Sequence, residues 1–280
     1  NKILESMYID GHISLGERDQ AIKEKIILNY QKNNKDLKDE LLVNFILEEA
    51  SKKVKSNKKY KFLRIKSSIN KNWQELGQQI SKSIGPENIQ LALVSIEANT
   101  GLIRTMITSK DPSINEYNRV TSAVRPLGST FKIITYAAAL MEDIKLSTKF
   151  EDLPKCWKDY CPKNFSENYA GKISLIDSFK TSSNIVPLKI ANDIGLKKII
   201  NLANLFGLGY EQKLEEFLPL AIGSYGDNLL NITNAYAVLN SNGNLYKPSV
   251  LKKIESKDYE LIWENKFNHK KILDREVNEK

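Results

Sequence analysis

A serine and a lysine with spacing suited to nucleophilic catalysis lie near the middle of the chain. Ser129 and Lys132 are three residues apart, directly after Gly128 and at the start of an alanine-rich apolar run, 130–141. Such a run predicts a buried helix, and residues i and i+3 of a helix face the same side. A buried lysine with a lowered pKa can take the serine proton and create a nucleophile. Serine is equally a common helix N-cap, so the pair alone leaves both interpretations open.

A second polar pair follows 53 residues after the first serine. Ser182 and Asn184 stand between two predicted helices, 174–180 and 186–194. A hydroxyl and an amide two residues apart at a helix junction can face one cleft, where Ser182 would relay a proton and Asn184 would bind a substrate amide. Serine and asparagine are also common at helix boundaries for purely structural reasons.

Metal chemistry has little support in the sequence. The chain has two histidines, far apart, and two cysteines, Cys156 and Cys161, in a single C-x4-C without a partner pair. A structural zinc site usually needs four nitrogen or sulfur ligands at tighter spacing, so we expect no metal and no cofactor. The cysteines are either a disulfide in an oxidising compartment or two free thiols.

The positive charge does not indicate nucleic-acid binding. The formal charge of +8 comes from 42 Lys and Arg against 34 Asp and Glu, and residues 51–73 carry nine basic side chains and no acidic one. Aromatic residues are not interleaved there as a base-stacking platform requires. We therefore expect a lysine-rich linker that runs into a strand, and no nucleic-acid partner.

The elements that must position the two pairs follow from hydrophobic periodicity. A composition of 41% hydrophobic and 27% charged residues is globular. The chain becomes largely helical after Gly128, and a hairpin before it should lie centrally in a sheet. The predicted elements are helices over 2–9, 17–30, 37–54 and 70–84, a strand over 60–65, and hairpin strands over 91–96 and 102–108.

The two pairs also match a known signature. S-x-x-K, then S-x-N, then K-[ST]-G is typical of penicillin-binding proteins and serine β-lactamases. Asn118-Arg119, then Arg125 and 128–132, resemble the N-R-A-x-x-x-x-R-x-P-G-S-x-F-K block of bifunctional, class A penicillin-binding proteins. Pro126 stands one residue earlier than in that block.

Further blocks resemble the same family, in the same order, over nearly the whole chain. They are 3–7 with 11–13, similar to the end of the glycosyltransferase domain; 60–80 and 92–107, similar to the opening strand, helix and strand pair of the transpeptidase domain; 162–165, 171–175 and 182–184; and finally 218–223, 234–237, 242–243 and Pro248.

The resemblance implies a fold and a division of the chain. The fold is α+β and β-lactamase/transpeptidase-like, with a central antiparallel sheet flanked by helices. Residues 1–58 would be the tail of a glycosyltransferase domain with a helical linker, and 59–280 the penicillin-binding transpeptidase domain. The protein would be anchored by a missing N-terminal segment on the extracytoplasmic side of the bacterial cell membrane.

The resemblance also implies the chemistry, that of a peptidoglycan D,D-transpeptidase within a bifunctional synthase. Ser129 would attack the penultimate D-Ala carbonyl of a stem peptide and become an acyl-enzyme, with Lys132 as the base. Ser182 would shuttle a proton and Asn184 would hold the substrate. A second stem peptide would then close the cross-link, and β-lactams would acylate the same serine.

The sequence departs from the family in what it lacks. No K-[ST]-G occurs in the 280 residues, nor does the E-D-x-x-F-x-x-H-x-G centre that acts on lipid-linked glycan strands. In the family, K-[ST]-G lies on a strand that lines the site and binds the substrate carboxylate. We therefore expect missing C-terminal strands, a hairpin with an exposed edge, and poor acylation.

Three other interpretations stay open. A serine β-lactamase-like hydrolase would carry an E-x-x-L-N element, and nothing after Asn184 matches it. A noncatalytic, truncated remnant agrees with the missing motif but not with the retained serines, lysine and asparagine. A nucleic-acid-binding module rests only on the basic stretch.

Overall fold

A computed structural model describes residues 2–24, 39–54, 62–86, 88–110 and 117–280. The chain divides into two compact units, residues 1–37 and 38–280. The first contains α1 (Lys2–Ile9), which matches the predicted helix, and α2 (Leu15–Lys23). A capping box starts α2, since Ser14 Oγ accepts the Glu17 N–H and the Glu17 carboxyl accepts the Ser14 N–H. Residues 25–30 of the predicted second helix lie outside the described residues.

The second unit mixes helices and short strands, as the expected α+β class requires. No helix in the described ranges is long and apolar enough to span a bilayer. In chain order the elements are α3 (Glu40–Ser51), β1 (Leu63–Ser67), α4 (Lys71–Ser83), β2 (Leu93–Glu97), β3 (Leu102–Ile107), β4 (Arg125–Pro126), a 3₁₀ turn (Gly128–Phe131), α5 (Lys132–Met141), β5 (Lys149–Asp152), β6 (Gly171–Ser174), α6 (Leu175–Lys180), α7 (Ile185–Ile194), α8 (Leu196–Leu205), a second 3₁₀ turn (Leu218–Ile222), β7 (Gly226–Asp227), α9 (Leu229–Asn240), β8 (Asn244–Tyr246), β9 (Leu251–Ser256), β10 (Leu261–Glu264), β11 (His269–Lys271) and α10 (Arg275–Glu279).

The strands pair antiparallel in small sheets. Within the described ranges β1, β9 and β10 form a three-stranded sheet, and β2–β3, β4–β7, β5–β6 and β8–β11 form pairs. The β2–β3 hairpin is flanked by helices as expected, since α4 packs on β3 and α9 on β2. It is nevertheless two-stranded rather than the middle of a wider sheet.

A helix side chain occupies the edge of β3 that faces away from β2. The Gln74 side-chain oxygen accepts the Met106 N–H at 2.9 Å, and its amide nitrogen donates to the Met106 carbonyl at 2.8 Å. Nearby, the Asn70 N–H donates to the carbonyl of Arg104. These bonds satisfy backbone groups that a further strand would otherwise take. The edge of β2 has no such partner strand among the described residues.

Two apolar clusters hold the second unit together. One cluster joins α3 to β3 and β9 and includes Leu42, Ile103 and Ile254. The other surrounds α5 and brings α7, α8 and the second 3₁₀ turn together. Its fully buried members include Phe131, Ile134, Leu188, Phe206 and Leu220. Helix α5 is therefore fixed by packing on several sides before any polar contact is considered.

The turn before α5 is held by a close backbone contact. The Gly128 N–H donates to the Gly223 carbonyl at 3.0 Å, and the Leu127 N–H donates to the Tyr225 carbonyl at 2.9 Å. Gly223 has φ of +85°, and a Cβ there would lie 1.9 Å from the Gly128 carbonyl oxygen. Only glycine allows the two segments to approach this closely.

We expect Gly223→Ala to lower the free energy of unfolding by about 3 kcal/mol, because the new Cβ must push the 128 turn away. Gly171→Ala is the matched control, since Gly171 also has a positive φ of +68° but nothing lies within 4 Å of its Cβ position. That control should cost about 1 kcal/mol. Urea denaturation of both variants measures the difference, and equal losses would contradict the close-contact explanation.

Candidate active site

Ser129 is presented to solvent by a rigid turn. It lies in the 3₁₀ turn Gly128–Phe131 and is exposed, whereas Phe131 is fully buried and packs edge-to-face on Tyr225 with ring centroids 6.1 Å apart. The β4–β7 pair holds the residues just before the turn. The Ser129 side chain makes no hydrogen bond within the described part of the chain. Its hydroxyl is therefore accessible while the backbone around it is fixed.

Lys132 is buried and links the two predicted pairs. It is the first residue of α5 and only 2% exposed. Its Nζ donates to the Ser182 carbonyl at 2.7 Å, the Ser182 Oγ at 3.1 Å and the Asn184 Oδ1 at 2.7 Å. From the sequence we expected Ser129 and Lys132 to lie within hydrogen-bond distance of each other. In the structure the Lys132 ammonium points instead to the segment 182–184. The three acceptors of that segment match the three N–H groups of the ammonium.

Burial changes the proton affinity of Lys132. Removal from water lowers the pKa of its ammonium to about 8. No carboxylate lies within ion-pair distance of its Nζ among the described residues to oppose that shift. At pH 7 about a tenth of the molecules then hold a neutral amine, against well under a thousandth for an exposed lysine. Lys132 is therefore suited to act as a base near neutral pH.

Asn184 is held at both ends of its side chain. Its Oδ1 accepts from Lys132, and its Nδ2 donates to the Lys163 carbonyl at 2.7 Å. Its backbone N–H donates to Asn164 Oδ1 at 2.7 Å. Ser182 beside it has φ of +55°, the left-handed region that non-glycine residues seldom occupy. The structure thus brings Lys132, Ser182 and Asn184 into direct contact.

A cavity of about 610 Å³ opens in front of these residues. Its walls include Ser129, Ser182 and Asn184, together with the segment 164–170. The Phe165 side chain stands fully exposed at the rim. A cleft of this volume is in the range of small-molecule sites, and three of the four predicted site residues line it.

Two buried polar residues of the cavity wall were not identified as site residues from the sequence. Asp152, at the end of β5, is 2% exposed and accepts hydrogen bonds from Asn164, Ala170 and Ser183. Asn164 is 8% exposed and connects Asp152 to Asn184. Asn164 lies inside the block 162–165 that carried part of the resemblance, whereas Asp152 stands in a strand with no such signal.

Cys156 and Cys161 form a disulfide, one of the two states that the sequence left open. Within the loop that it closes, Trp157 and Tyr160 exchange two backbone hydrogen bonds of 2.8 and 3.1 Å. The loop ends two residues before Lys163, whose carbonyl accepts from Asn184. The disulfide therefore constrains the chain just before one wall of the cavity.

Comparison with known proteins gives consistent results. The model of the penicillin binding protein transpeptidase domain matches residues 91–280. Penicillin-binding protein 1A of Rickettsia prowazekii is 29% identical over 178 residues, which cover 61% of this chain and 22% of that protein. Penicillin-binding protein 1B of Buchnera aphidicola is 29% identical over 206 residues, covering 70% of this chain and 27% of that protein. The chain thus spans about a quarter of these relatives.

A solved structure shows the fold. The 2.6 Å crystal structure of penicillin-binding protein 1A from Haemophilus influenzae superposes with a TM-score of 0.71 at 17% identity, covering 94% of this chain and 54% of that one. The expected transpeptidase-like fold is thereby confirmed.

We expect the rate constant for acylation of Ser129 by a fluorescent β-lactam to rise about tenfold per pH unit below pH 8 and to level off above it. The reason is that Lys132 is the predicted base, that a base must be neutral to take the serine proton, and that the pKa of Lys132 is about 8. Rates measured from pH 6 to 9.5 on folded protein test this. A flat profile over that range would exclude Lys132 as the base.

Proposed function

The chain belongs to the penicillin binding protein transpeptidase domain family, and from this premise we propose that it carries the acyl-transfer site of a peptidoglycan D,D-transpeptidase. The single observation that supports this most is the buried Lys132, which holds Ser182 and Asn184 behind the exposed Ser129. A serine nucleophile, a lysine with a lowered pKa and a second hydroxyl are the parts that acyl transfer needs.

We propose that acylation begins when neutral Lys132 takes the Ser129 proton. Ser129 Oγ then bonds to the penultimate D-Ala carbonyl carbon of a stem peptide, and its backbone N–H stabilises the negative oxygen. The peptide C–N bond breaks, and Ser182 passes a proton to the departing D-Ala. Ser182 Oγ lies 3.1 Å from Lys132 Nζ, which suits a proton relay between them.

The second half of the proposed reaction consumes the ester. The amine of another stem peptide attacks the acyl carbon, a new amide forms, and Ser129 Oγ leaves and regains its proton. A β-lactam would acylate Ser129 in the same way, but ring opening releases no leaving group that could diffuse away. We propose Asn184 as a substrate contact.

We propose that the complete protein is a bifunctional peptidoglycan synthase, in which residues 59–280 belong to the transpeptidase domain and 1–58 to the end of the glycosyltransferase domain. Lipid-linked glycan strands would be substrates of the latter. An extracytoplasmic site, with a membrane anchor elsewhere in the protein, agrees with the Cys156–Cys161 disulfide, since such bonds persist in oxidising compartments.

A second candidate is a noncatalytic domain that keeps the fold. The contacts of Lys132 favour it, because its Nζ bonds to residues 182–184 and the Ser129 side chain makes no hydrogen bond in the described part of the chain.

Intact mass after incubation with benzylpenicillin separates the two candidates. We expect a slow gain of one benzylpenicillin mass, since ring opening loses no atoms and the K-[ST]-G contact is lacking. Ser129→Ala should abolish the gain. Ser166→Ala is the matched control, since Ser166 is another exposed serine of the same cavity, and it should leave the gain unchanged.

Two results would contradict the proposal. An adduct on Ser129→Ala would place the nucleophile elsewhere. No adduct on a wild-type chain that melts cooperatively would favour the noncatalytic domain.

A further inference from the structure

We propose that Asp152 is a positioning residue, which fixes the segment 182–184 through two hydrogen-bonded arms. The inference rests on the proposed acyl-transfer function, because it concerns the residues that surround Lys132. Asp152 itself makes no hydrogen bond to Ser129 or Lys132 in the described structure. It acts through Ser183 and Asn164, which are both buried.

The first arm passes through Ser183. Its Oγ accepts the backbone N–H groups of Ile185 at 3.1 Å and Val186 at 3.2 Å. Both acceptor positions of the hydroxyl are then occupied, and its single proton is donated to Asp152 Oδ1 at 2.8 Å. Asp152 thereby sets the rotamer of Ser183 and, with it, the first turn of α7.

The second arm passes through Asn164. Its Nδ2 lies 3.0 and 3.1 Å from the two Asp152 carboxyl oxygens, and its Oδ1 accepts the Asn184 backbone N–H at 2.7 Å. Asn164 could present either end of its amide to Asn184. The Asp152 carboxylate and the Asn168 carbonyl, 3.0 Å from the same Nδ2, only accept hydrogen bonds, so together they require the NH₂ end and leave the oxygen for Asn184.

The two arms hold Ser183 and Asn184, which directly follow a strained residue. Ser182 has φ of +55°, a conformation that persists only where the surroundings determine it. Its carbonyl and the Asn184 Oδ1 are the two shortest contacts of Lys132 Nζ. A shift of Ser183 or Asn184 would therefore remove acceptors from the buried ammonium. Asp152 also accepts the Ala170 N–H at 3.0 Å, which ties the cavity wall to the same carboxyl.

Asp152→Asn tests the proposal with almost no change of shape. One carboxyl oxygen becomes an NH₂ group. Because Asn164, Ser183 and Ala170 all donate hydrogen bonds to this carboxyl, the new NH₂ group faces donors and loses their hydrogen bonds. Glu151→Gln is the matched control, since it lies on the same strand with 71% of its side chain exposed. At a temperature where all variants are folded, we expect the limiting rate constant for acylation by a fluorescent penicillin to fall at least tenfold in Asp152→Asn. In Glu151→Gln it should stay within twofold.

Amide hydrogen exchange supplies a readout that does not depend on acylation. In Asp152→Asn, exchange at Asn184, Ile185 and Val186 should accelerate at least tenfold relative to buried α8 positions such as Ile199. In Ser183→Ala only Ile185 and Val186 should accelerate, because the Asn164 arm still holds Asn184. This residue-specific pattern cannot arise from a general loss of stability.

The proposal is overturned if Asp152→Asn acylates like Glu151→Gln, or if its exchange accelerates uniformly over the domain. If the wild-type chain does not acylate, the proposed function fails, and hydrogen exchange alone still decides whether Asp152 holds the segment 182–184.

Discussion

The site depends on one buried cation. Lys132 is buried at the start of α5, yet its ammonium keeps three acceptors, all from residues 182–184. Burying a charge without a counter-ion is unfavourable, so the fold must supply oriented dipoles in its place. These dipoles are the Ser182 carbonyl, the Ser182 hydroxyl and the Asn184 side-chain oxygen. They belong to residues that follow Lys132 by 50 and 52 positions in the sequence. The orientation of α5 and the junction of α6 with α7 are consequently coupled.

The same burial makes the domain sensitive to pH in a defined direction. An unfolded chain keeps the ordinary lysine pKa, whereas the folded domain has its Lys132 pKa lowered to about 8. Between about pH 8 and 10.5 the unfolded state binds more protons, so the stability contributed by this group rises with pH across that window. Below pH 8 the full free-energy cost of burying the charged Lys132 ammonium lowers the stability of the folded domain. The burial of Lys132 therefore lowers the stability of the domain at neutral pH, and the same burial leaves part of the Lys132 population as a neutral amine there.

Local structure was largely predictable from the sequence, because local signals specify it. The first helix, 2–9, was predicted without error, and the helix over 70–84 differs from α4 only at its ends. The helix predicted over 174–180 matches α6 apart from its first residue, because Ser174 is the N-cap and its Oγ accepts the Asp177 N–H. Residues 37 and 38 of the helix predicted over 37–54 lie outside the described residues. Within the described part, Asp39 provides the N-cap of α3, which ends at Ser51 rather than at residue 54.

Polar contacts between residues far apart in the chain could not be predicted from the sequence. The spacing of Ser129 and Lys132 indicated a pair on one helix face, but Lys132 bonds instead to acceptors on another element. Asp152 is one acidic residue among many, and only tertiary packing makes its carboxyl the acceptor for Asn164, Ala170 and Ser183. The sequence also did not predict what lies beside the β2–β3 hairpin. On the edge of β3 that faces away from β2, the Gln74 side chain bonds to Met106 and Leu102 forms a single bridge with Ser249.

The Gln74 side-chain amide restricts where a further strand can pair with the β2–β3 hairpin. Gln74 presents to Met106 the same donor and acceptor that a peptide unit of a neighbouring strand would present, and α4 carries it at 8% exposure. A strand approaching from that side meets a helix and finds the Met106 groups already bonded. At the other end of the same edge, Leu102 already forms a bridge with Ser249. A further strand therefore has free room only along β2, so the sheet is chemically closed beside Met106 and extensible on the opposite flank.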